Sequence, residues 1–351
     1  MQLHAKYNIS GGSPSTTEID SGTSGSSNDF VVRPFAFRFT NINKGGVANP
    51  SGTANSGDGF VAAEDTFAAT LSAIQWQAGE DNDANGEPDT ADVLTDNPVT
   101  RNFSNTTISV SPTAAFTPAG GTRGNIGNGA VDFTLAADDT QTLSNLTYDN
   151  VGSISLYAEV NDYLGTGNPG TNISGTSDEV GRFYPDHFTL INNAITPSCN
   201  GTFSYMAEPA IDIIYDLQAQ GINDGPTSNY DTDAGYNTGT IALRAENNSD
   251  GNDLGARLSS AVSTNNWSNG SYAVNTAAAS FERAATPDGP YQSLQLGLDI
   301  ITEQDNRDIE NQDMLGNTAK SVGTTDVRFG RLNLANAFGS ELLALNMPVR
   351  D

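Results

Sequence analysis

Apolar and polar residues alternate with a period of two along most of this chain. The clearest runs place apolar residues at these positions of one parity: Phe35, Phe37 and Phe39; Phe67, Ala69, Leu71 and Ala73; Ile154, Leu156, Ala158 and Val160; Ile211, Ile213, Tyr215 and Leu217; Leu294, Leu296, Leu298 and Ile300. This alternation is typical of β-strands that bury one face and expose the other. Helix-period segments are nearly absent, so the pattern predicts an all-β fold.

One strand departs from simple alternation. Apolar residues continue after Ala73 at Ile74, Trp76 and Ala78, which lie on the opposite parity. A change of parity is what a β-bulge or a switch of sheet produces, so we expect one near Ala73.

A weak internal repeat indicates two units. Segments 57–83 and 201–225 both carry an aromatic residue, an Ala-Glu step, a long alternating run and then Gly with acidic residues. The Gly/Ser/Thr-rich stretch 164–180 is the natural boundary between them. We therefore predict two tandem Ig-like antiparallel β-sandwich domains with long polar loops, at residues 30–180 and 181–351. Residues 1–29 are interpreted as a flexible segment or the remnant of a strand.

The composition agrees with many turns and limits the classes of partner. The chain has 351 residues, of which 36 are Gly, and 42 acidic residues outnumber 15 basic ones, for a net charge of -27. Such a field repels nucleic acid and anionic membranes and attracts divalent cations. No run of 18 apolar residues occurs, so we expect no membrane insertion.

The sharpest local motif is the acidic segment 81–92. It places oxygen-bearing side chains at loop positions 1, 3, 5, 9 and 12 and Gly86 at position 6, which is a spacing that can wrap a short loop around calcium. Position 12 is Asp, where an EF-hand has Glu, and no helices are expected beside it. The predicted ligands, with Glu87 contributing its backbone carbonyl, are Asp81, Asp83, Asn85, Glu87, Asp89 and Asp92.

The alternative interpretation of this motif is an acidic hairpin loop that arises from a composition rich in Asp, Asn and Gly. Segments 229–233 and 247–253 are looser versions of the same pattern. If calcium binds at 81–92, we expect it to rigidify the loop by neutralising like charges held close together.

Catalytic motifs are absent from the sequence. It contains no Gly-x-Ser-x-Gly, His-Glu-x-x-His or Gly-x-x-x-x-Gly-Lys segment. His187, beside Asp186, is interpreted as a strand-start residue that bonds the backbone. Paired carboxylates of a glycosidase remain open, because sequence spacing gives no distances.

Exposed aromatic residues offer a second kind of site, since they can stack on sugars. Candidates are Trp76, Trp267, Tyr157, Tyr230 and Tyr236. Trp267 stands in an Asn/Ser/Gly-rich segment and is the expected ligand-binding residue, although most aromatic residues of a sandwich lie in the core or pair across strands.

The lone cysteine and the N-terminus bear on localisation. Cys199 excludes an internal disulfide, and we interpret it as a half-buried residue near a strand start or as a bridge to a partner. The start of the chain, Met1–Tyr7, has no apolar core of a signal peptide. If the protein is secreted, we expect the export signal to lie outside this chain.

Four segments, taken in order, resemble the C-terminal region of the MshQ family of MSHA pilus biogenesis proteins. They are Asn28–Phe35, Val180–Phe188, Phe203–Pro209 and Phe329–Leu343. The resemblance implies a secreted or cell-surface protein of a Gram-negative bacterium, tied to type IV pilus assembly and adhesion, with no known catalytic residues. Arginines within these segments (Arg33, Arg182 and Arg331) are interpreted as structural partners of carboxylates.

Three functions follow as hypotheses. The first is a non-catalytic structural or adhesion module, stiffened by calcium and associated with pilus or cell-surface proteins. The second is a carbohydrate-binding module that recognises surface glycans, for which we expect an exposed platform at Trp267. The third is an acid-type glycosidase, which requires a cleft with two carboxylates about 5–10 Å apart.

Overall fold

The computed structural model describes residues 32–52, 57–89, 94–101, 103–104, 106–133, 140–167, 169–208, 211–232, 236, 239–260, 266–330, 333–334, 336–342, 344–345 and 349–350. Within these residues the secondary structure consists of β-strands and three short 3-10 turns, without an α-helix. The prediction of an all-β fold with two tandem sandwiches is confirmed. The predicted segment 1–29 lies outside the described residues.

The first sandwich contains ten strands within the described part of the chain. They are β1 (Ala36–Lys44), β2 (Val47–Ala48), β3 (Val61–Ala62), β4 (Phe67–Ile74), β5 (Thr106–Thr117), β6 (Ile126–Gly127), β7 (Ala130–Phe133), β8 (Thr140–Tyr148), β9 (Gly152–Val160) and β10 (Ile173–Tyr184). One sheet has the order β2-β1-β4-β8-β6 and the other β3-β10-β9-β5-β7. Their inner faces share one core, to which Phe37 and Leu71 contribute from one sheet and Leu156 and Val180 from the other.

The second sandwich contains nine strands among the residues described. They are β11 (His187–Thr196), β12 (Ser204–Tyr205), β13 (Ile211–Gln220), β14 (Thr240–Asn247), β15 (Asn252–Asp253), β16 (Leu258–Ser260), β17 (Ser271–Phe281), β18 (Tyr291–Ile301) and β19 (Lys320–Arg328). Its sheets have the orders β11-β13-β17-β16 and β12-β19-β18-β14-β15. A separate two-stranded sheet follows, formed by β20 (Asn333–Leu334) and β21 (Val349–Arg350).

The first sandwich extends past the predicted boundary between residues 180 and 181. That boundary falls inside β10, which runs to Tyr184 and pairs with β9. The chain passes into the second sandwich through Pro185 and Asp186, and β11 begins at His187.

The end of β4 is buried on both faces, which explains the change of parity at Ala73. The ladder between β1 and β4 runs without a shift from Ala36–Ile74 to Thr40–Thr70, so the expected bulge or switch of sheet near Ala73 is wrong. Ile74 instead belongs to a small second cluster with Phe35, Ala36 and Leu94.

The two sandwiches repeat the same strand pairing. The adjacent strands β1-β4-β8 correspond to β11-β13-β17, and β3-β10-β9-β5 correspond to β12-β19-β18-β14. In both, a two-residue strand pairs in parallel with the last long strand. Two backbone hydrogen bonds are also equivalent. Ala63 N–Tyr184 O in the first sandwich corresponds to Met206 N–Arg328 O in the second. Likewise, Glu64 N–Tyr148 O corresponds to Ala207 N–Phe281 O.

Candidate functional site

The acidic loop that follows β4 brings three of the predicted calcium ligands together. One carboxylate oxygen of each of Asp81, Asp83 and Asp89 lies within 4.8 Å of the other two. Asp81 is half-buried, whereas Asp83 and Asp89 are exposed. Within the described residues this is the one group of three or more His, Cys, Asp or Glu side chains with such spacing, so segments 229–233 and 247–253 assemble none there.

Hydrogen bonds within the loop explain why this sequence folds back on itself. The Asp81 carboxylate accepts the backbone N–H groups of Asn85 (3.0 Å) and Gly86 (2.9 Å), and Asp83 accepts that of Asn85 at 3.1 Å. Gly86 has a φ of 84°, a conformation that glycine adopts without steric cost. The carboxylates therefore already have protein donors, and the loop is ordered by these bonds.

The other predicted ligands have different positions. The Asn85 side-chain oxygen accepts the Glu87 backbone N–H at 2.7 Å, so it is used inside the loop. The Asp89 carboxylate accepts the backbone N–H of Asn82 at 3.0 Å and its side-chain amide N–H at 2.6 Å. The metal-spacing pattern did not predict this contact. Asp92 lies outside the described residues.

Arg33 contacts the same loop from the strand entry. Its Nη2 donates to Gly86 O at 2.5 Å and its Nε donates to Gly170 O at 3.0 Å. Burial lowers the pKa of Arg33, against the opposing effect of Glu87 and Asp81. With the residues that the structure describes, Arg33 makes hydrogen bonds to backbone carbonyls and none to a carboxylate, so the expected pairing is not found among them.

Trp267 is a core residue, so the sugar platform expected there is wrong. Its side chain is 1% exposed. The ring packs against Phe188, Tyr230 and Tyr272 at centroid distances of 5.2, 4.9 and 5.4 Å, and Nε1 donates to Gly239 O at 3.3 Å. The polar residues beside it form a tight turn, in which Ser268 N donates to Ser271 O at 2.8 Å.

Trp76, in contrast, is 56% exposed and lines a cavity of about 410 Å³. The cavity lies beside the acidic loop, and Arg33, Asp81 and Asn85 also line it. Four cavities of the described structure each contain at most one carboxylate residue, so none of these four assembles the pair that a glycosidase needs.

Cys199 and His187 have structural neighbours. The Cys199 thiol donates to Glu208 Oε2 at 3.6 Å, and burial together with this carboxylate raises its pKa, which disfavours the reactive thiolate. His187 lies between Asp186 (3.1 Å) and Gln220 (3.1 Å) at the start of β11.

The junction between the sandwiches is a second site of interest, and its most prominent contact is an ion pair. Arg182 of β10 donates to both oxygens of Asp305, at 2.6 and 2.5 Å, and the side chains are only 5% and 9% exposed. Although burial lowers the pKa of Arg182, its hydrogen bonds and charge interaction with Asp305 outweigh burial and raise it. The prediction that Arg182 pairs with a carboxylate is confirmed, whereas Arg331 lies outside the described residues.

Two buried asparagines continue the junction. Asn229 accepts the Thr122 N–H at 2.7 Å and donates to the carbonyls of Thr122 (2.9 Å) and Val151 (3.2 Å). Asn150 accepts the Asn229 backbone N–H at 3.0 Å and donates to Ser228 at 3.0 Å. Val151, in the turn between β8 and β9, packs in the core of the second sandwich.

Glu64 completes the junction from the loop between β3 and β4. Its carboxylate accepts the backbone N–H groups of Asn223 (3.1 Å) and Gly225 (3.3 Å), while Ile222 N donates to Ala63 O at 3.0 Å. Four separate parts of the first sandwich thus bond to the second: β10, the loop after β5, the turn between β8 and β9, and the loop after β3. Sequence analysis missed these partners because they lie more than 70 residues apart in the chain.

The fold and this junction define a tandem β-sandwich protein with directly bonded domains. Two family models match it: "DUF6701, second domain" at residues 33–145 and "DUF6701, third domain" at residues 150–327. The chain belongs to the DUF6701 family. A search of curated proteins found no match. Neither model description mentions MshQ or pili, so that resemblance stays a prediction.

The family boundary differs from the sheet boundary. The third-domain model begins at residue 150, so it includes β9 and β10, which pair within the first sandwich. It also includes Asn150 and Val151, the two residues of that turn that contact the second sandwich.

Proposed function

We propose that this chain is a non-catalytic structural module of a surface protein, in which two β-sandwiches act as one stiff unit. The observation that supports this proposal is the junction, where the buried Arg182–Asp305 pair, the Asn229 network and the Glu64 turn join the sandwiches at three places. A module of this kind transmits position and force along a surface structure without a flexible hinge.

The physical basis is the cost of separating the sandwiches. Undocking would break the hydrogen bonds across the junction, each of which contributes about 0.5–1.5 kcal/mol net, and would expose Val151 to water. The connection through Pro185 and Asp186 is also too short to act as a free linker. Both features favour a fixed angle between the sandwiches.

Calcium is proposed as a local stiffener of the acidic loop. Asp81, Asp83 and Asp89 provide hard oxygen donors at suitable mutual distances, and a divalent ion would offset their repulsion. Arg33 lies close enough to offset part of this charge, so the loop would remain folded without the ion.

We further propose, from the resemblance to MshQ, a location at the cell surface of a Gram-negative bacterium and partners among pilus or surface proteins. The charge of -27 agrees with a protein that stays dispersed outside the cell. Among the described residues, no helix has the length and hydrophobicity of a membrane span.

Antibody labelling of intact source cells tests the location, and co-purification of pilus subunits tests the partner. We expect label on unpermeabilised cells and recovery of a pilus or surface protein after crosslinking. Label that requires permeabilisation would contradict the proposal. A hydrolase activity on oligosaccharides that is lost with Asp81→Asn would favour the glycosidase hypothesis instead.

A further inference from the structure

The ends at which the chain enters the two sandwiches are equivalent. In the first, Ala36 begins β1 and pairs with Ile74 of β4, and in the second, His187 begins β11 and pairs with Gln220 of β13. We call these the entry ends. Because Ile74 and Gln220 correspond, Trp76 corresponds to Ile222, two residues further along each loop.

Backbone hydrogen bonds support this correspondence. The residue before the first strand donates to the last residue of the paired strand in both sandwiches: Phe35 N to Ile74 O at 2.9 Å, and Asp186 N to Gln220 O at 2.8 Å. Arg33 therefore corresponds to Tyr184, which is the last residue of a strand in the preceding sandwich.

The entry end of the second sandwich is the surface that docks the first. Its contacts come from two loops: the loop after β13, where Ile222 N donates to Ala63 O, and the loop after β18, where Asp305 binds Arg182. The opposite, or exit, end of the first sandwich contributes Ala63, Glu64 and Arg182 to this contact.

The entry end of the first sandwich has the corresponding two loops. The loop after β4 carries Trp76 and Asp81, and the loop after β9 carries Gly170 and Thr171. Together with Arg33 they enclose the cavity of about 410 Å³. Trp76 is a large apolar side chain, 56% exposed, on the surface equivalent to a docked one.

We propose that the entry end of the first sandwich docks a further β-sandwich through Trp76 and the acidic loop, as the second sandwich docks the first. The partner is the domain that the family numbering, second and third for the two domains here, implies as first. Because Asp81, Asp83 and Asp89 cluster at this end, the partner's exit end presents a basic side chain, as Arg182 does.

A second copy of this chain fits the surface less well. By the strand registers, Asp326 of the second sandwich occupies the position of Arg182, and Ala207 that of Glu64. The exit end of the second sandwich therefore has no counterpart of Arg182 or Glu64, and its Asp326 is paired with Arg328 at 2.7 Å. The family numbering, which implies a first domain, identifies the partner as a different sandwich.

Tryptophan quenching tests the inference without altering the chain. Trp267 is buried, so iodide reaches only Trp76 among the two tryptophans. The probe is the separately purified first domain of a DUF6701 protein, shown to be folded by circular dichroism. We expect the probe to protect Trp76 from iodide. Absence of protection by the folded probe overturns the proposal.

Titration calorimetry with the same probe compares the binding affinity of two variants of this chain with that of the wild type. We expect Trp76→Ala to weaken binding at least tenfold, while Phe338→Ala, which removes another exposed aromatic ring that does not line this cavity, leaves it unchanged. Equal affinity of Trp76→Ala and wild type overturns the assignment. If Trp76 becomes protected from iodide as the concentration of this chain rises in the absence of the probe, the partner is a second copy of the chain and the assignment is overturned. The inference does not depend on calcium binding or on a pilus location.

Discussion

Arg182 and Asp305 lie 123 residues apart in the chain and form a two-point ion pair across the junction, at 2.6 and 2.5 Å. Each side chain is almost completely buried, so the pair depends on both sandwiches being in place. The Arg182 Nε also donates to Gly57 O at 3.0 Å, and Gln304 donates to the same carbonyl at 2.7 Å. The ion pair is therefore the centre of a larger contact.

Removing one partner of this pair should destabilise the protein. Arg182→Met leaves the Asp305 carboxylate buried without its cation, which costs about 3–5 kcal/mol of unfolding free energy. The double variant Arg182→Met/Asp305→Leu should recover part of the loss. Urea unfolding measures both. The control is Arg328→Met, which removes a half-exposed ion pair with Asp326 and should destabilise the protein far less than Arg182→Met. Equal effects of the two single variants would contradict the role of Arg182.

The Asn229 side chain should matter more than its size suggests. Asn229→Ala leaves the Thr122 N–H and two carbonyls of the junction without their partner, so we expect a loss of at least about 2 kcal/mol. Calorimetry should also resolve two transitions where the wild type shows one. Asn248→Ala, which removes an exposed amide with one long contact, is the matched control. An unchanged single transition for Asn229→Ala would argue against coupling through this residue.

Calcium should stabilise the acidic loop. At a concentration 100-fold above the dissociation constant, a bound ion adds about 2.7 kcal/mol to the unfolding free energy, provided that it does not bind the unfolded chain. We expect the melting temperature to rise in calcium and to fall back in EDTA. Asp83→Asn should abolish the response, whereas Asp178→Asn, an exposed carboxylate elsewhere, should retain it. A calcium response that persists in Asp83→Asn would place the ion at another site.

Trp267 should behave as a core residue. Trp267→Ala removes a ring that contacts Phe188, Tyr230 and Tyr272, and the resulting cavity should cost about 3–5 kcal/mol. Trp76→Ala provides the comparison and should change stability by about 0.5 kcal/mol or less, because its ring is mostly exposed. Chemical unfolding of both variants measures the difference. A small effect of Trp267→Ala would conflict with its buried position.

Glu303 should make stability depend on pH. Burial raises the pKa of Glu303 above its ordinary value of 4.5, and Asp305 adds to this effect, although backbone N–H donors oppose it. A carboxyl group with a raised folded-state pKa contributes stability below its unfolded pKa and loses it as pH rises through the folded value. Glu303→Gln should therefore gain stability relative to wild type as pH rises from 4.5.

The control for this pH prediction is Glu282→Gln, since Glu282 is exposed. Urea unfolding of both variants over this pH range measures the effect. A pH-independent difference between Glu303→Gln and wild type would contradict the raised pKa.

The strands were predictable because burial of one face imposes a period of two on the sequence. The repeat of the two sandwiches was also visible, in segments that become β3 and β4, and β12 and β13. Burial of both faces at Ile74 erased the alternation there, and the sequence pattern was misinterpreted as a bulge or a switch of sheet. The pattern of apolar residues predicts the strand that contains them, but it does not predict which strands pair with it.

The site was less predictable. The acidic loop could be found because its residues are close in sequence, whereas the Asn229 and Arg182 contacts depend on partners in the other sandwich. Trp267 was misinterpreted because Asn, Ser and Gly beside it indicate a turn, and a turn does not specify the direction of one ring. The sequence did not predict that Arg33 and Trp76 line one cavity at the entry end of the first sandwich.

Pulsed electron paramagnetic resonance between the two sandwiches tests the central claim most directly. Spin labels would be attached at Ser109→Cys in β5 and Asn252→Cys in β15, both exposed, with Cys199→Ser to remove the native thiol. A stiff junction predicts one narrow distance distribution, which broadens when Arg182→Met is added. A broad distribution in the labelled parent protein would show that the sandwiches move independently and would contradict the proposed structural role.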